Sequence, residues 1–196
     1  VQYAIDQNLA PVMSISYGSC EAMNTRSEAL SLQSAAKQAN AQGMTWMAAS
    51  GDCGGLDCVG GGTSSRYAST LSVDIPAAIP EITGVGGTTF SEGSGTYWAS
   101  SSDANRASAL GYIPEVAWND TDSSGLSSTG GGASNYFAKP SWQSGTGVPN
   151  DGARNVPDIS LSASAAHDAY IIFSGGSQQA IGGTSAGAPT ERSSPS

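Results

Sequence analysis

The sequence is poor in charge, and poorest in positive charge. Only 12% of its 196 residues are Asp, Glu, Lys or Arg, where about 25% is usual. Seven Lys and Arg stand against 16 Asp and Glu, a formal net charge of −9. Nucleic acids and anionic membrane surfaces are bound through clustered Lys and Arg, so neither is an expected partner. No apolar run approaches the roughly 20 residues that cross a bilayer.

Histidine and cysteine are also scarce. The chain has one histidine, His167, and three cysteines, Cys20, Cys53 and Cys58. Their spacing matches no zinc motif, so no metal site is predicted. An odd number of cysteines leaves at least one free thiol if a disulfide forms. The first residues, "VQYAIDQNLAP", lack the pattern of a signal peptide and are typical of the end of a helix, so we expect the chain to begin inside a domain.

Apolar patterning predicts an alternation of strands and helices in the first half. Residues 10–18 form a short β-branched run bounded by Pro and Gly, which predicts a buried strand. Apolar residues at steps of three and four predict a helix over 25–43 that Gly43 ends. Residues 44–50 predict a second strand, which completes a parallel βαβ unit, and residues 81–90 predict a third.

The second half is rich in Ser, Gly, Asn and Asp. Between residues 91 and 153 this composition could belong to a disordered linker, but spaced aromatic residues favour long ordered loops. These aromatic residues are Tyr97, Trp98, Tyr112, Trp118, Tyr136, Phe137 and Trp142. Two more strands are predicted in "VPDISLSAS" and "AYIIFSGG". We find no internal repeat and no second domain.

Near the end, Gly183, Thr184, Ser185 and Pro189 spell Gly-Thr-Ser-x-x-x-Pro, the pattern around the nucleophile of subtilisin-like serine peptidases. It predicts that Ser185 lies at a strand-to-helix turn with Pro189 in the first helical turn, where a missing N–H does no harm. Helix-terminal amides could then stabilise a developing oxyanion. The alternative is an ordinary turn, because Gly-Thr-Ser is a common tripeptide.

A second candidate residue is Asp52, in the glycine-rich turn of "AASGDCGG". Subtilisins carry an Asn in a similar turn, where its amide donates to the oxyanion. A protonated Asp can donate in the same way, but an ionised one would repel the oxyanion, so this role needs acid or a raised pKa. The alternative is a plain turn residue. His167 has the wrong neighbours and chain order for a subtilisin base, and we interpret it as a loop histidine.

Taken together, a Gly-Thr-Ser serine, an oxyanion Asp and no histidine base resemble the sedolisin family, the serine-carboxyl peptidases. Sequence blocks similar to that family run through residues 1–190 in family order, including "VMSISYGSCE", "ITGVGGTTF" and "GGTSAGAP". The resemblance implies an α/β, subtilisin-like fold with a mostly parallel sheet flanked by helices, incomplete at both ends. Residues 1–190 would be a partial peptidase domain, and residues 191–196 a tail unlike the family.

In that family the base is a Glu that an Asp four residues later orients, and a final segment binds calcium. No two of the 16 acidic residues of this chain are four apart, so the base is expected to lie outside it. No calcium ligand can be carried over, and no cofactor is expected in this chain.

The resemblance also assigns the cysteines and a substrate-binding segment. It implies a disulfide between Cys20 and Cys58 that leaves Cys53 free, whereas a local Cys53–Cys58 bridge is the alternative. Ser16, Tyr17 and Gly18 fall where the family lines its primary specificity pocket, although as loop-end residues they could equally be structural.

The function that the resemblance implies is that of a secreted, monomeric peptidase, active in acid on peptides or proteins as an endopeptidase or tripeptidyl-peptidase. The first rival is an inactive truncated fragment or pseudoenzyme, and for these 196 residues alone we expect no activity. The second rival is a secreted, Ser- and Gly-rich binding module. Such a module has no reason to combine the turn of Asp52 with the motif of Ser185.

Overall fold

The computed structural model describes residues 1–59, 67–104 and 107–190, so the tail at 191–196 lies outside the described residues. These residues include three α-helices: α1 (Gln2–Asp6), α2 (Arg26–Ala41) and α3 (Thr184–Gly187). Short 3₁₀ turns occupy Glu21–Met23, Asp57–Val59 and Ala188–Thr190. The strands are β1 (Val12–Ile15), β2 (Ser19–Cys20), β3 (Thr45–Ala49), β4 (Asp74–Ile75), β5 (Thr83–Phe90), β6 (Glu115–Ala117), β7 (Gly132–Ala138), β8 (Ala153–Val156), β9 (Ile159–Ser162), β10 (Tyr170–Ser174) and β11 (Ser177–Ile181). In the described part of the chain, no helix has the length and apolarity to cross a membrane.

A five-stranded sheet forms the centre of the fold. β1 pairs with β3, β3 with β5, and β5 with β9, all in parallel, while β6 joins the end of β5 as an antiparallel strand. The prediction of a mostly parallel, subtilisin-like sheet is therefore confirmed. Three two-stranded ribbons, β2–β4, β7–β8 and β10–β11, surround the sheet.

Both faces of the sheet are covered, which explains why β3 is apolar from Trp46 to Ala49. Trp46 and Ala48 point into a core shared with α1 and α2, whereas Met47 and Ala49 point into a second core beside α3. The buried face of α2 is lined with alanines, so its backbone can lie close to the sheet.

Helix α2 begins and ends where the sequence predicts. Thr25 is its N-cap, and its hydroxyl accepts from the Glu28 amide while the Glu28 carboxylate accepts from the Thr25 amide. This capping box satisfies two otherwise unpaired donors. Gly43 follows the C-cap with a φ of 77°, a left-handed conformation that favours glycine.

The structure contains strands that the sequence analysis interpreted as loops. β6 and β7 lie inside the Ser- and Gly-rich region 91–153, and β11 pairs with β10 although its sequence, SQQAI, lacks an apolar pattern. Pro189 is also placed differently. It lies in the 3₁₀ turn that follows the four-residue helix α3, and not in the first helical turn.

One buried ion pair anchors β8 and β9 to the sheet. The side chain of Arg154 is fully buried and donates two hydrogen bonds to the Asp158 carboxylate, of 2.5 and 2.6 Å. Asp158 Oδ2 also accepts from the Gly84 amide at 2.8 Å. A buried guanidinium needs such a bidentate partner because an unpaired buried charge is strongly destabilising. The pair therefore fixes the start of β5 relative to β9.

A disulfide joins Cys20, at the end of β2, to Cys58, in the 3₁₀ turn after the turn of Asp52. Their Cα atoms lie 4.9 Å apart, within the range a disulfide spans, and Cys53 is free. This is the pairing that the family resemblance implies, and the alternative bridge between Cys53 and Cys58 is absent.

We predict that the Cys20→Ser, Cys58→Ser double variant loses about 4 kcal/mol of unfolding free energy, because the bridge closes a loop with a sequence separation of 38. Urea unfolding measures the loss. Cys53→Ser is the control and should change stability little. Thiol titration of the denatured, unreduced protein should find a single thiol, and finding three would contradict the pairing.

Candidate active site

The candidate residues meet at the carboxyl edge of the parallel strands. Ser16 follows β1, Asp52 follows β3, and Ser185 lies in α3, which packs on β3, β5 and β9. In open α/β sheets, ligands bind outside the carboxyl ends of the strands. The structure thus brings together residues separated by more than 130 positions in the sequence.

The turn before Ser185 is built around a glycine. Gly183 has a φ of 89°, which a side chain rarely adopts, and a Cβ added there would lie 2.6 Å from Asp52 Oδ2. The missing side chain therefore lets the carboxyl of Asp52 approach the nucleophile turn. Thr184 then begins α3 and is fully buried.

Asp52 is held by the residue that precedes Ser185. Its Oδ1 accepts from the Thr184 amide and from the Thr184 hydroxyl, both at 2.8 Å. Its Oδ2 has no hydrogen bond within the described ranges. Asp52 is half-buried, so one oxygen is fixed by the fold and the other remains available. Sequence reasoning singled out Asp52 but missed Thr184 as the residue that orients it.

Ser185 is half-buried. Its carbonyl accepts from the Ser16 hydroxyl at 2.7 Å, which ties the nucleophile turn to the end of β1. No hydrogen bond of Ser185 Oγ is present among the described residues, so the structure shows no base beside it. His167 lies elsewhere, half-exposed and 3.5 Å from the carboxylates of Glu92 and Asp168.

The three residues predicted to bind substrate differ in their surroundings. Ser16 contacts Ser185, whereas the Tyr17 side chain extends into solvent with 85% exposure. Gly18 lies against the carboxyl of Asp74, where a Cβ would stand 2.1 Å from Asp74 Oδ1. Their roles in substrate binding stay predictions.

Two further carboxyls, of Asp57 and Asp74, lie next to this site and were missed by the sequence analysis. A Cβ added at Gly51 would lie 2.3 Å from Asp57 Oδ1. Burial raises the pKa of both carboxyls, and the neighbouring negative charges add to this. The signal that could have revealed Asp74 is a lone acidic residue inside the apolar run "LSVDIPAAI".

We tested whether the residues present fit a metal ion. Within residues 1–59, 67–104 and 107–190, no three His, Cys, Asp or Glu side chains converge so that they could hold one.

No protein-family model matches the chain. It is similar to sedolisin of Pseudomonas sp. (strain 101), with 39% identity over 190 residues that cover 95% of this chain and 29% of sedolisin. It is also similar to xanthomonalisin of Xanthomonas sp. (strain T-22), with 34% identity over 95% of this chain and 23% of the relative. Kumamolisin of Bacillus sp. (strain MN-32) is 36% identical over 91% of this chain and 29% of the relative.

A solved structure has a similar fold. It is the structure of Pseudomonas sedolisin, a serine-carboxyl proteinase, complexed with two molecules of pseudo-iodotyrostatin, and it is 36% identical with a TM-score of 0.72. The match covers 94% of this chain and 46% of that one. The chain thus spans less than a third of the length of the curated relatives it matches.

We predict that Gly183→Ala destabilises the fold more than Gly43→Ala does. Both glycines have a positive φ, so each substitution strains the backbone, and the strain is greater at Gly183, whose ψ of 159° makes its conformation almost exclusive to glycine. At Gly43 the new Cβ meets no atom within 4 Å, whereas at Gly183 it collides with Asp52. The collision should cost roughly 1–3 kcal/mol more.

A double-variant cycle in urea isolates this collision. In an Asp52→Ala background, the loss caused by Gly183→Ala should shrink by roughly 1–3 kcal/mol, because the obstructing carboxyl is gone while the backbone strain remains. A Gly183→Ala loss of the same size with and without the carboxyl would show that Asp52 does not lie against Gly183.

Proposed function

We propose that this chain, which belongs to the sedolisin family of serine-carboxyl peptidases, carries the nucleophile and the oxyanion donor of a serine peptidase that acts in acid. One observation carries the proposal. Thr184 holds one oxygen of Asp52 beside the turn of Ser185 and leaves the other oxygen without a partner among the described residues. A plain turn aspartate has no need of this arrangement.

The chemistry assigned to these residues is acyl transfer to a serine. Ser185 Oγ attacks the carbonyl carbon of a peptide bond, and the carbonyl oxygen becomes an oxyanion. Asp52 donates a hydrogen bond from its free oxygen to that oxyanion. It can do so only while its carboxyl is protonated. The reaction therefore requires acid.

The proton of Ser185 needs an acceptor, and no described residue provides one. We propose that a Glu, oriented by an Asp four residues later, acts as this base from outside the 196 residues. A carboxylate base is consistent with Asp52 as donor, because one carboxyl can be ionised while the other keeps its proton when their surroundings differ.

The substrate class we propose is a peptide or protein, bound with Ser16, Tyr17 and Gly18 close to the scissile bond. The contact between the Ser16 hydroxyl and the Ser185 carbonyl supports this placement. Secretion is also proposed, since structural disulfides persist in oxidising compartments. We further propose that the protein acts as a monomer.

The alternative is that these residues are an inactive fragment or pseudoenzyme. The Ser185 hydroxyl has no hydrogen-bond partner in the described part of the chain, which favours this alternative for the 196 residues alone, because a serine without a base is a weak nucleophile. The two readings differ in whether the complete gene product supplies the base. Its sequence either contains a Glu-x-x-x-Asp pair or lacks one.

We predict that the 196-residue chain hydrolyses no peptide at any pH, since the loss of one member of a triad costs about 10⁴–10⁶-fold. The complete gene product should cleave peptides with an optimum in acid. Ser185→Ala should abolish that activity, and Asp52→Ala should lower kcat by about 10²–10³-fold. Rates on a quenched fluorescent peptide library from acid to neutral pH measure all three.

The control variant is Asp122→Ala, which removes an exposed turn carboxyl that accepts a hydrogen bond from the Ser124 amide. It should leave the rate unchanged. Hydrolysis by the 196-residue chain that Ser185→Ala removes would contradict the proposed base. A complete gene product whose activity survives Ser185→Ala would contradict the proposed nucleophile.

A further inference from the structure

We propose that Asp57 and Asp74 share one proton, and that this proton holds the Gly51–Asp52 turn and the Gly18 loop in place, which makes both aspartates positioning residues of the site. The sharing of a proton stands on its own. Only its effect on Asp52 as an oxyanion donor rests on the function proposed above.

The first argument is that the two side chains lie close together. Asp74 lies on β4 and is 6% exposed, and Asp57 lies in the 3₁₀ turn beside the Cys20–Cys58 bridge. A Cβ added at Gly51 would lie 2.3 Å from Asp57 Oδ1 and 3.7 Å from Asp74 Cβ, so both side chains pack against the same glycine. Two ionised carboxylates are both acceptors, so neighbouring carboxyls can hydrogen bond only if one of them carries a proton.

The second argument is an unpartnered atom. Asp74 Oδ1 is buried and accepts from no N–H or hydroxyl of the described residues. A buried carboxylate oxygen without a donor is strongly unfavourable, whereas a protonated acid is neutral and tolerates burial. A neutral, protonated Asp74 explains why its Oδ1 can be buried without a donor.

No positive charge compensates the pair within the described ranges. The charged groups that act on either carboxyl are the other carboxyl and Asp52, and all are acidic. The remaining titratable groups on the packed elements are also acidic or neutral. They are the exposed Tyr17, the Cys53 thiol and Glu21. The Glu21 carboxylate accepts hydrogen bonds from the Ser134 hydroxyl and the Asn135 amide. The Cys20–Cys58 disulfide does not titrate.

The pair lies between the two backbone segments that form the site. A Cβ at Gly18 would stand 2.1 Å from Asp74 Oδ1, and one at Gly51 would stand 2.3 Å from Asp57 Oδ1. Loss of the shared proton leaves two carboxylates in contact, and their repulsion acts directly on these segments. Gly51 precedes Asp52, so the proposed oxyanion donor moves with its turn.

The consequence for stability has a definite sign. Burial raises the pKa of both carboxyls above the ordinary aspartate value of about 3.9, and more so for Asp74. Above that value the unfolded chain has released protons that the folded pair still binds. The contribution to stability is therefore full below about pH 4 and is lost as the pH rises through the raised pKa values.

We predict that Asp74→Asn and Asp57→Asn each weaken this pH dependence, because an amide donates to the remaining carboxylate without a bound proton. For each proton that the folded pair binds and the unfolded chain has released, the equilibrium constant of unfolding rises about tenfold per pH unit. The Asn variants should lose this rise. Urea unfolding of the 196-residue chain between acid and neutral pH measures it. Asp122→Asn, at an exposed turn, should keep the wild-type slope.

Infrared spectroscopy gives a second readout that a merely structural role would not change. At neutral pH the wild-type chain should show the carbonyl band of a protonated carboxylic acid, and Asp74→Asn should remove it. If Asp74→Asn does not fold, the unfolding slope of Asp57→Asn and the infrared band of the wild-type chain test the shared proton. An absent band in wild type, or unchanged slopes in a folded Asn variant, would overturn the shared proton.

These measurements do not depend on peptidase activity. A shared proton in a chain whose complete gene product cleaves nothing would leave this inference intact and contradict the proposed function. In an active gene product, Asp57→Asn should shift the alkaline limb of kcat/KM to higher pH. Suppose that Asp57→Asn weakens the pH dependence of stability but leaves the alkaline limb of kcat/KM at its wild-type position. That result would contradict the effect on Asp52.

Discussion

Two hydrogen bonds from Thr184 to Asp52 Oδ1 connect the turn after β3 with the turn that carries Ser185. The connection is possible because Gly183 has no side chain in the space that the Asp52 carboxyl occupies. It also needs the parallel sheet, which brings the carboxyl ends of β1, β3 and β9 to one edge. The proposed chemistry depends on this junction, since a serine and an acid act on one carbonyl only if both are fixed.

Acidity is a common theme of the proposed site. Asp52 must be protonated to donate, and Asp57 and Asp74 both lie against Gly51 without a cation acting on them in the described residues. The chain has a net charge of −9 and few basic residues, so it has little positive charge to neutralise clustered carboxylates. Protonation is the other way to reduce their repulsion. The same condition thus favours both the proposed donor and the packing around it.

The elements predicted correctly from the sequence are those specified by local patterns. The β1–α2–β3 unit follows from apolar periodicity and Gly43, and Ser185 and Asp52 were found through short motifs. β6, β7 and β11 were missed because their pairing partners, and not their own residues, make them strands.

The same reason explains what was missed in the site. Thr184 and Asp52 are 132 residues apart, and the pairing of Asp57 with Asp74 has no sequence pattern of its own. Contacts of this kind arise only when the sheet is assembled. Cys20 and Cys58 are an instructive exception, since the family resemblance supplied a long-range pair that composition could not.

The central claim is that Ser185 and Asp52 act on the same carbonyl group. A crystal structure of the complete gene product soaked in acid with a peptide aldehyde tests it most directly. The account predicts a covalent bond from Ser185 Oγ to the aldehyde carbon, with the resulting oxygen within hydrogen-bond distance of the Asp52 carboxyl. An aldehyde bound to another residue, or an oxygen that faces away from Asp52, would contradict it.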